Sequence, residues 1–146
     1  MTRRINNVMI PSNVTVSVSG GDMSVEQLVD TFIDDDLLIY TSTGSRAIKT
    51  SSVVNTRGSD SKDFVYIEAN EYNVIVTPQA RVYDVETREW IRAEKITTAC
   101  KLRVIDNTKP QPVTTIHTIK NSLSEKVYML TIDETGSFFA NKILIS

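Results

Sequence analysis

Residues 126–146 read KVYMLTIDETGSFFANKILIS, and the reading of this stretch decides the fold. Two runs rich in Val, Ile, Tyr, Leu and Thr, Lys126–Ile132 and Lys142–Ile145, are separated by Asp133, Gly136 and Asn141. Branched and aromatic side chains fit a pleated, half-buried surface, whereas Gly, Asn and Asp favour turns, so each run is predicted to be a strand. The same texture continues towards the N-terminus. Val14, Val16 and Val18 alternate with Thr15, Ser17 and Ser19, the period of a half-buried strand, and Gly20-Gly21-Asp22 then reads as a tight turn. Further strands are predicted at Leu37–Thr41, Ala47–Asn55, Phe64–Ala69, Asn73–Thr77, Lys101–Asp106 and Val113–Lys120. Gly58–Asp63 and Asn107–Pro112 read as exposed polar loops. Many short strands at regular spacing define an all-β fold.

One segment has a different period. Val25, Leu28, Val29 and Phe32 recur at helical spacing, Ser24 and Gln27 stand where a capping box requires them, and Met23 is placed to pack on Leu28. A short helix is predicted there, and a second helical turn at Arg92–Ile96, after Trp90.

Composition removes several classes of function. The chain has 146 residues, a length that fits one domain, and 40% of them are hydrophobic, as in a folded globular chain. No apolar run approaches the ~20 residues of a membrane span. A net charge of −2 argues against broad electrostatic binding to nucleic acid. The single cysteine, Cys100, allows no internal disulfide or thiolate zinc site, and the single histidine, His117, allows no two-histidine metal motif. Met1–Asn7 lacks the apolar core of a signal peptide, so an intracellular location is expected and the Asn13-Val14-Thr15 sequon is expected to stay unused. The sequence contains no internal repeat, low-complexity tract or linker.

Individual residues give no active site. Asp34-Asp35-Asp36 is the densest carboxylate run, but it lacks the glycine and distal glutamate of a calcium loop and reads as a solvated helix end. Arg3 and Arg4 read as a terminal arm, Cys100 as a small buried side chain and His117 as a strand surface residue. Ser42, Ser45, Ser51 and Ser52 have no neighbouring base, and Tyr40, Tyr66, Tyr72 and Trp90 read as packing residues rather than a stacking surface. No Gly-rich phosphate loop or catalytic signature motif occurs.

Three blocks nevertheless resemble inteins and related Hint (hedgehog/intein) domains, in the family's order. KVYMLTIDETGSFFANKILIS resembles the family's last blocks, outlined as "vYdltVedtHnFfanGIlvHN". Tyr72–Ile96, with Val76-Thr77-Pro78-Gln79-Ala80 before Trp90-Ile91-Arg92-Ala93, is similar to the block in which a "vTpdH" turn precedes "W..A..l". Thr15-Val16 followed by Gly20–Leu28 is a weaker likeness to the opening block. The resemblance implies a compact, horseshoe-like fold with pseudo-twofold halves, one or two short helices, and terminal strands (Val14–Ser19 and Lys142–Ile145) lying side by side. It implies a single domain over residues 10–146 behind an N-terminal arm, residues 1–9. The stretch Asp106–Ser124 is too short for the endonuclease that larger inteins insert there, since a domain needs 50 or so residues.

Splicing requires a first-position Cys or Ser, a Thr and His in the block turn, an Asp and a His in the penultimate block, a penultimate His and a terminal Asn. The resemblance puts Ile10 at the first position, with Ser12 in an alternative register. It keeps Thr77 but puts Ala80 at the turn histidine, Met129 at the Asp, Gly136 at the block His and Ser146 at the penultimate His, with the terminal Asn falling beyond Ser146. The resemblance thus implies a Hint scaffold without its chemistry: no catalytic residue, cofactor or metal. Its expected role is structural, through contact with protein partners, as a homo-oligomer or within a bacteriophage virion or its assembly, without nucleic acid or membrane. The alternative is residual self-processing, by an acyl shift at Ser12 or slow cyclisation of Asn141.

Overall fold

The computed structural model describes residues 10–11, 13–19, 21–31, 38–45, 47–133 and 135–146. In chain order the strands are β1 (Ile10–Pro11), β2 (Thr15–Val18), β3 (Gly21–Ser24), β4 (Leu38–Thr41), β5 (Lys49–Ser61), β6 (Phe64–Ala69) and β7 (Tyr72–Val76). They continue with β8 (Arg81–Asp84), β9 (Glu89–Arg92), β10 (Lys101–Leu102), β11 (Gln111–Ile119), β12 (Glu125–Ile132), β13 (Phe138–Ala140) and β14 (Ile143–Ile145). One helix, α1 (Val25–Thr31), follows β3, and a 3₁₀ turn (Ala93–Lys95) follows β9. The all-β expectation holds, with every strand pair antiparallel in one continuous sheet.

Element order repeats although sequence does not. The hairpin β2–β3, then α1, β4 and the long β5, is matched by the hairpin β8–β9, then the 3₁₀ turn, β10 and the long β11. The main-chain bonds repeat too. Val25 N donates to Val14 O at 2.9 Å in one half, and Ala93 N to Ala80 O at 2.7 Å in the other. Val18 pairs with Ile39, and Asp84 with Leu102. The strands that follow cross over between halves: β6 pairs with β11, and β12 with β5. The implied pseudo-twofold halves are therefore present as main-chain geometry, which only alternation and turns need to encode.

The hairpin β13–β14 joins the halves. β13 pairs with β2 through Ala140↔Val16, and β14 with β8 through Ile145↔Val82. The strand beside β2 is thus β13, not the chain's last strand as the resemblance implies. Asn141 and Lys142, at φ 46° and 72°, make a two-residue turn that folds β14 back on the far side. All six strand residues are fully buried, so both faces of the hairpin are core. Val16, Leu28, Ile67, Val82, Leu102 and Leu130 extend that core into both halves.

Local expectations fare unevenly. The capping box forms, with Gln27 N donating to Ser24 Oγ at 3.2 Å and Ser24 N to Gln27 Oε1 at 3.3 Å, while Phe32 lies outside the described residues. Gly58–Asp63 is not simply a loop, because β5 runs on to Ser61 and pairs fully with β12. Gly58 stands opposite Tyr128, whose ring lies 3.8 Å from where a Cβ would sit, so an aromatic neighbour fills the missing side chain. Conversely, Lys101–Asp106 narrows to β10 and an isolated bridge, Val104↔Ile143, and Gln111–Pro112 begins β11 rather than ending a loop. Ala47–Ile48 precede β5 as coil. Strands β8 and β9, not predicted, surround a tight turn closed by Asp84.

Burial pushes the Asp84 carboxyl up, but hydrogen bonds from Lys101 N (3.0 Å), Thr87 Oγ1 (2.9 Å) and Glu86 N (3.2 Å) outweigh it and hold the pKa below the usual carboxylate range. A group with a depressed folded-state pKa stabilises fully above its unfolded value, about 3.9, and that stability is lost as pH falls through the folded value. Asp84→Asn is expected to lower the urea midpoint at pH 7 and to flatten its decline below about pH 4, read from denaturation curves across an acid series.

Candidate functional site

The positions that the resemblance marks fall on neighbouring elements. Thr77 and Ala80 bracket a tight turn after β7, in which Ala80 N donates to Thr77 O at 3.1 Å. The next residue, Arg81, exchanges two main-chain bonds of 2.8 Å with Ser146. The Ser146 hydroxyl donates to Gly136 O at 3.3 Å and accepts from Arg81 Nη2 at 3.4 Å. Ile10 and Met129 lie on the β1–β12 pair, where Ile10 stands opposite Tyr128, and β1 rests against β7, just before Thr77. Thr77, Ala80, Gly136 and Ser146 are thus linked by backbone and hydrogen bonds, and Ile10 and Met129 reach them through β1.

The chemistry offered there is meagre. Ile10, Ala80 and Met129 are buried and apolar, Gly136 contributes a carbonyl, and the Ser146 hydroxyl is occupied. Thr77 Oγ1 and Arg81 Nε are buried without a partner. The six positions that the resemblance marks include no general base, and Ser146, the only hydroxyl among them besides Thr77, has no imidazole or carboxylate among its side-chain bonds.

A second cluster occupies the pseudo-twofold mate of this place, around Thr15 and Asn141. Thr15 N and Oγ1 donate to Asn141 Oδ1 at 2.9 and 3.1 Å, and Asn141 Nδ2 donates to Asn73 O at 3.1 Å. This is the counterpart of Arg81 and Ser146, with a side chain added to the main-chain bond from Asn141 N to Thr15 O. An open polar pocket of about 380 Å³ lies beside it, lined by Glu71, Tyr72, Asp106 and Lys142 as well. Tyr72 donates its hydroxyl to Asp106, and Lys142 pairs with the same carboxylate at 3.1 Å. The Tyr72 bond and the Lys142 charge outweigh burial and hold Asp106 below the usual carboxylate range; in return the carboxylate raises Lys142 and pushes Tyr72 up to about 12. A phenol so raised is no nucleophile at neutral pH. The cluster braces the β13–β14 turn, where Lys142 occupies a backbone conformation that favours glycine.

The remaining candidates that lie among the described residues stay apart. Asp34-Asp35-Asp36, Arg3, Arg4 and Ser12 lie outside the described residues. Cys100 is buried and His117 exposed on β11. Ser42 Oγ donates to Ser45 O and Ser51 Oγ to Asp133 O, so these hydroxyls tie backbone together. Loop Ser42–Ser45 is partly internal: Ser42 is buried, and Gly44 packs on the Tyr83 ring, which meets Trp90 edge-on at 5.2 Å. Tyr72 is tied to Asp106, and Tyr40, Tyr66 and Trp90 are each half-buried. Among the described residues no three His, Cys, Asp or Glu are placed to hold a metal ion, and no helix is long and apolar enough to cross a membrane. Asp106 and Arg81 escaped sequence reading because their partners are remote in the chain.

No family model and no curated protein matches the sequence. Solved structures do match. The chain is similar to the TvoVMA intein at 18% identity and a TM-score of 0.81, over 94% of this chain and 96% of that one. It is similar to a DnaB intein from Synechocystis sp. at 16% identity and 0.78, over 95% and 97%. It is also similar to a bacterial intein-like domain from Clostridium thermocellum at 14% identity and 0.73, over 99% and 98%. The chain therefore has the intein (Hint) fold, shared along nearly its whole length.

The orphaned Thr77 hydroxyl gives a direct test of whether the turn still holds anything. A buried hydroxyl without a partner costs about 1–3 kcal/mol, and Val has nearly the same shape. Thr77→Val is expected to leave the protein at least as stable, with a melting temperature equal to or above that of the parent.

Proposed function

We propose that this chain is a Hint domain that has kept the scaffold and lost splicing, and that it acts as a structural or protein–protein interaction module. Residues 10–146 form the domain, with no endonuclease inserted. The observation that carries this reading is the set of side chains at the splicing positions: Ile10, Ala80, Met129, Gly136 and Ser146, of which only Ser146 bears a reactive group. Splicing needs a nucleophile and positioned acid–base groups, each worth typically 10²–10⁴-fold, so losing the groups at these five positions leaves no route to acyl transfer at a useful rate. Asn141 supports the same reading, because its amide nitrogen donates to Asn73 O and its carbonyl accepts from Thr15, which keeps the amide from attacking its own backbone. A component of a bacteriophage virion or its assembly is the setting we propose, with other proteins as partners and neither metal nor cofactor required.

The test places the chain between two folded reporter proteins and follows intact mass through a long incubation at neutral pH, with and without added thiol. The expected result is one unchanged mass in both. Ligated reporters, or fragments ending beside Ser12 or Asn141, would overturn the reading and establish self-processing instead.

A further inference from the structure

The two edges of β11 have different fates. One pairs with β6 along its length, from Val113↔Ala69 to Ile119↔Phe64. The other is covered only at its start, where Gln111 and Pro112 pair with Leu102 and Lys101, and Val113 N donates to Cys100 O at 3.0 Å. From Thr114 to Ile119 no described residue pairs with this second edge, and every residue along it is exposed or half-buried. Alternate residues of an antiparallel strand aim N–H and C=O away from the first neighbour. The free edge is therefore a row of donors and acceptors that another extended strand matches.

Folded proteins blunt such edges with charge, proline or bulges. The equivalent strand of the other half follows that rule: β5 from Val53 onward pairs only with β12, and it carries Arg57, Gly58 and Asp60. β11 does not. Val113–Ile119 reads VTTIHTI, β-branched throughout except His117, without charge, glycine or proline. Its one irregularity, between Val113 and Thr115, sits at the end that is already covered.

We propose that the Thr114–Thr118 edge is an interface, and that its occupant is the same strand of a second copy, paired antiparallel about a two-fold axis. Such an axis stands perpendicular to the sheet and keeps each face continuous, so residues of like facing meet across it. Pairing about Ile116 sets Ile116 against the partner's Ile116, Thr115 against the partner's His117 and Thr114 against the partner's Thr118. No charged side chain falls inside that register, and Lys120 lies beyond its ends. Branched side chains directly opposed across strands are favourable pairs. The strand is self-complementary, which is why the occupant is a second copy and not an unrelated peptide. The resulting sheet joins β6 and β11 of both copies. This goes beyond the loss of splicing and does not depend on it, since an active domain with this edge would associate in the same way.

The test compares three forms of the full chain by sedimentation velocity over a dilution series. The parent is expected to show a concentration-dependent dimer. Thr115→Lys with His117→Lys places lysine against lysine twice across the axis and is expected to weaken the dimer more than about tenfold. Thr115→Lys with His117→Glu places opposite charges there and is expected to keep it. In both variants the positive charge introduced at position 115 stands opposite Glu68 on β6, which favours the fold, and thermal melts confirm that both are folded. A parent that stays monomeric throughout, or a dimer equally strong in all three forms, overturns the proposal.

Discussion

Everything in this molecule hangs on the hairpin Phe138–Ile145, held on both flanks by main-chain hydrogen bonds. Asn141 N donates to Thr15 O on one flank, Ser146 and Arg81 exchange bonds on the other, and Leu144 N and Ile105 N close contacts with the Arg103–Ile105 segment. Its strand side chains are buried on both faces. Removing one large side chain from such a position costs about 2–5 kcal/mol, a large part of what keeps a domain folded. The exchange of β6 and β12 between the halves adds the longest strand pairings, and Gly44 of one half packs on Tyr83 of the other.

That arrangement explains how the scaffold holds whatever side chains stand at the positions the resemblance marks. The bonds that fix the hairpin are backbone bonds, indifferent to which side chain stands at positions 10, 80, 129, 136 and 146. Ser146 still seats itself by its backbone on Arg81 whatever its side chain does. At the opposite flank, Asn141 and the Tyr72–Asp106–Lys142 cluster have become bracing, with each polar atom spent on a neighbour. Among the described residues, Thr77 and Arg81 retain buried polar atoms without partners, next to Ala80, where the resemblance puts the turn histidine.

Much of this was legible in the sequence. The strand texture announced an all-β chain, the resemblance of three blocks supplied the intein fold, and Ser24 with Gln27 fixed the helix start, because alternation, turns and caps are local signals. Strands β8 and β9 were not legible. Arg81–Asp84 offers only Val82 and Tyr83 as strand formers between charged ends, and β9 lies across a turn that Asp84 closes by side-chain bonds. Gly58 looked like a loop residue because the ring that completes its strand, Tyr128, belongs to β12. The bracing cluster failed to show for the same reason: Tyr72, Asp106 and Lys142 meet only after the crossover of β6 and β7 has been made. The pseudo-twofold relation left no repeat because the halves share main-chain bonds, not side chains.

Amide hydrogen exchange followed by NMR tests the central role of the hairpin most directly. The account predicts that Phe139, Ala140, Leu144 and Ile145 are among the slowest amides to exchange, opening only with global unfolding, while the outer part of β5 exchanges by local opening. Exchange of the hairpin amides at the rate of the outer β5 residues, well before global unfolding, would contradict it.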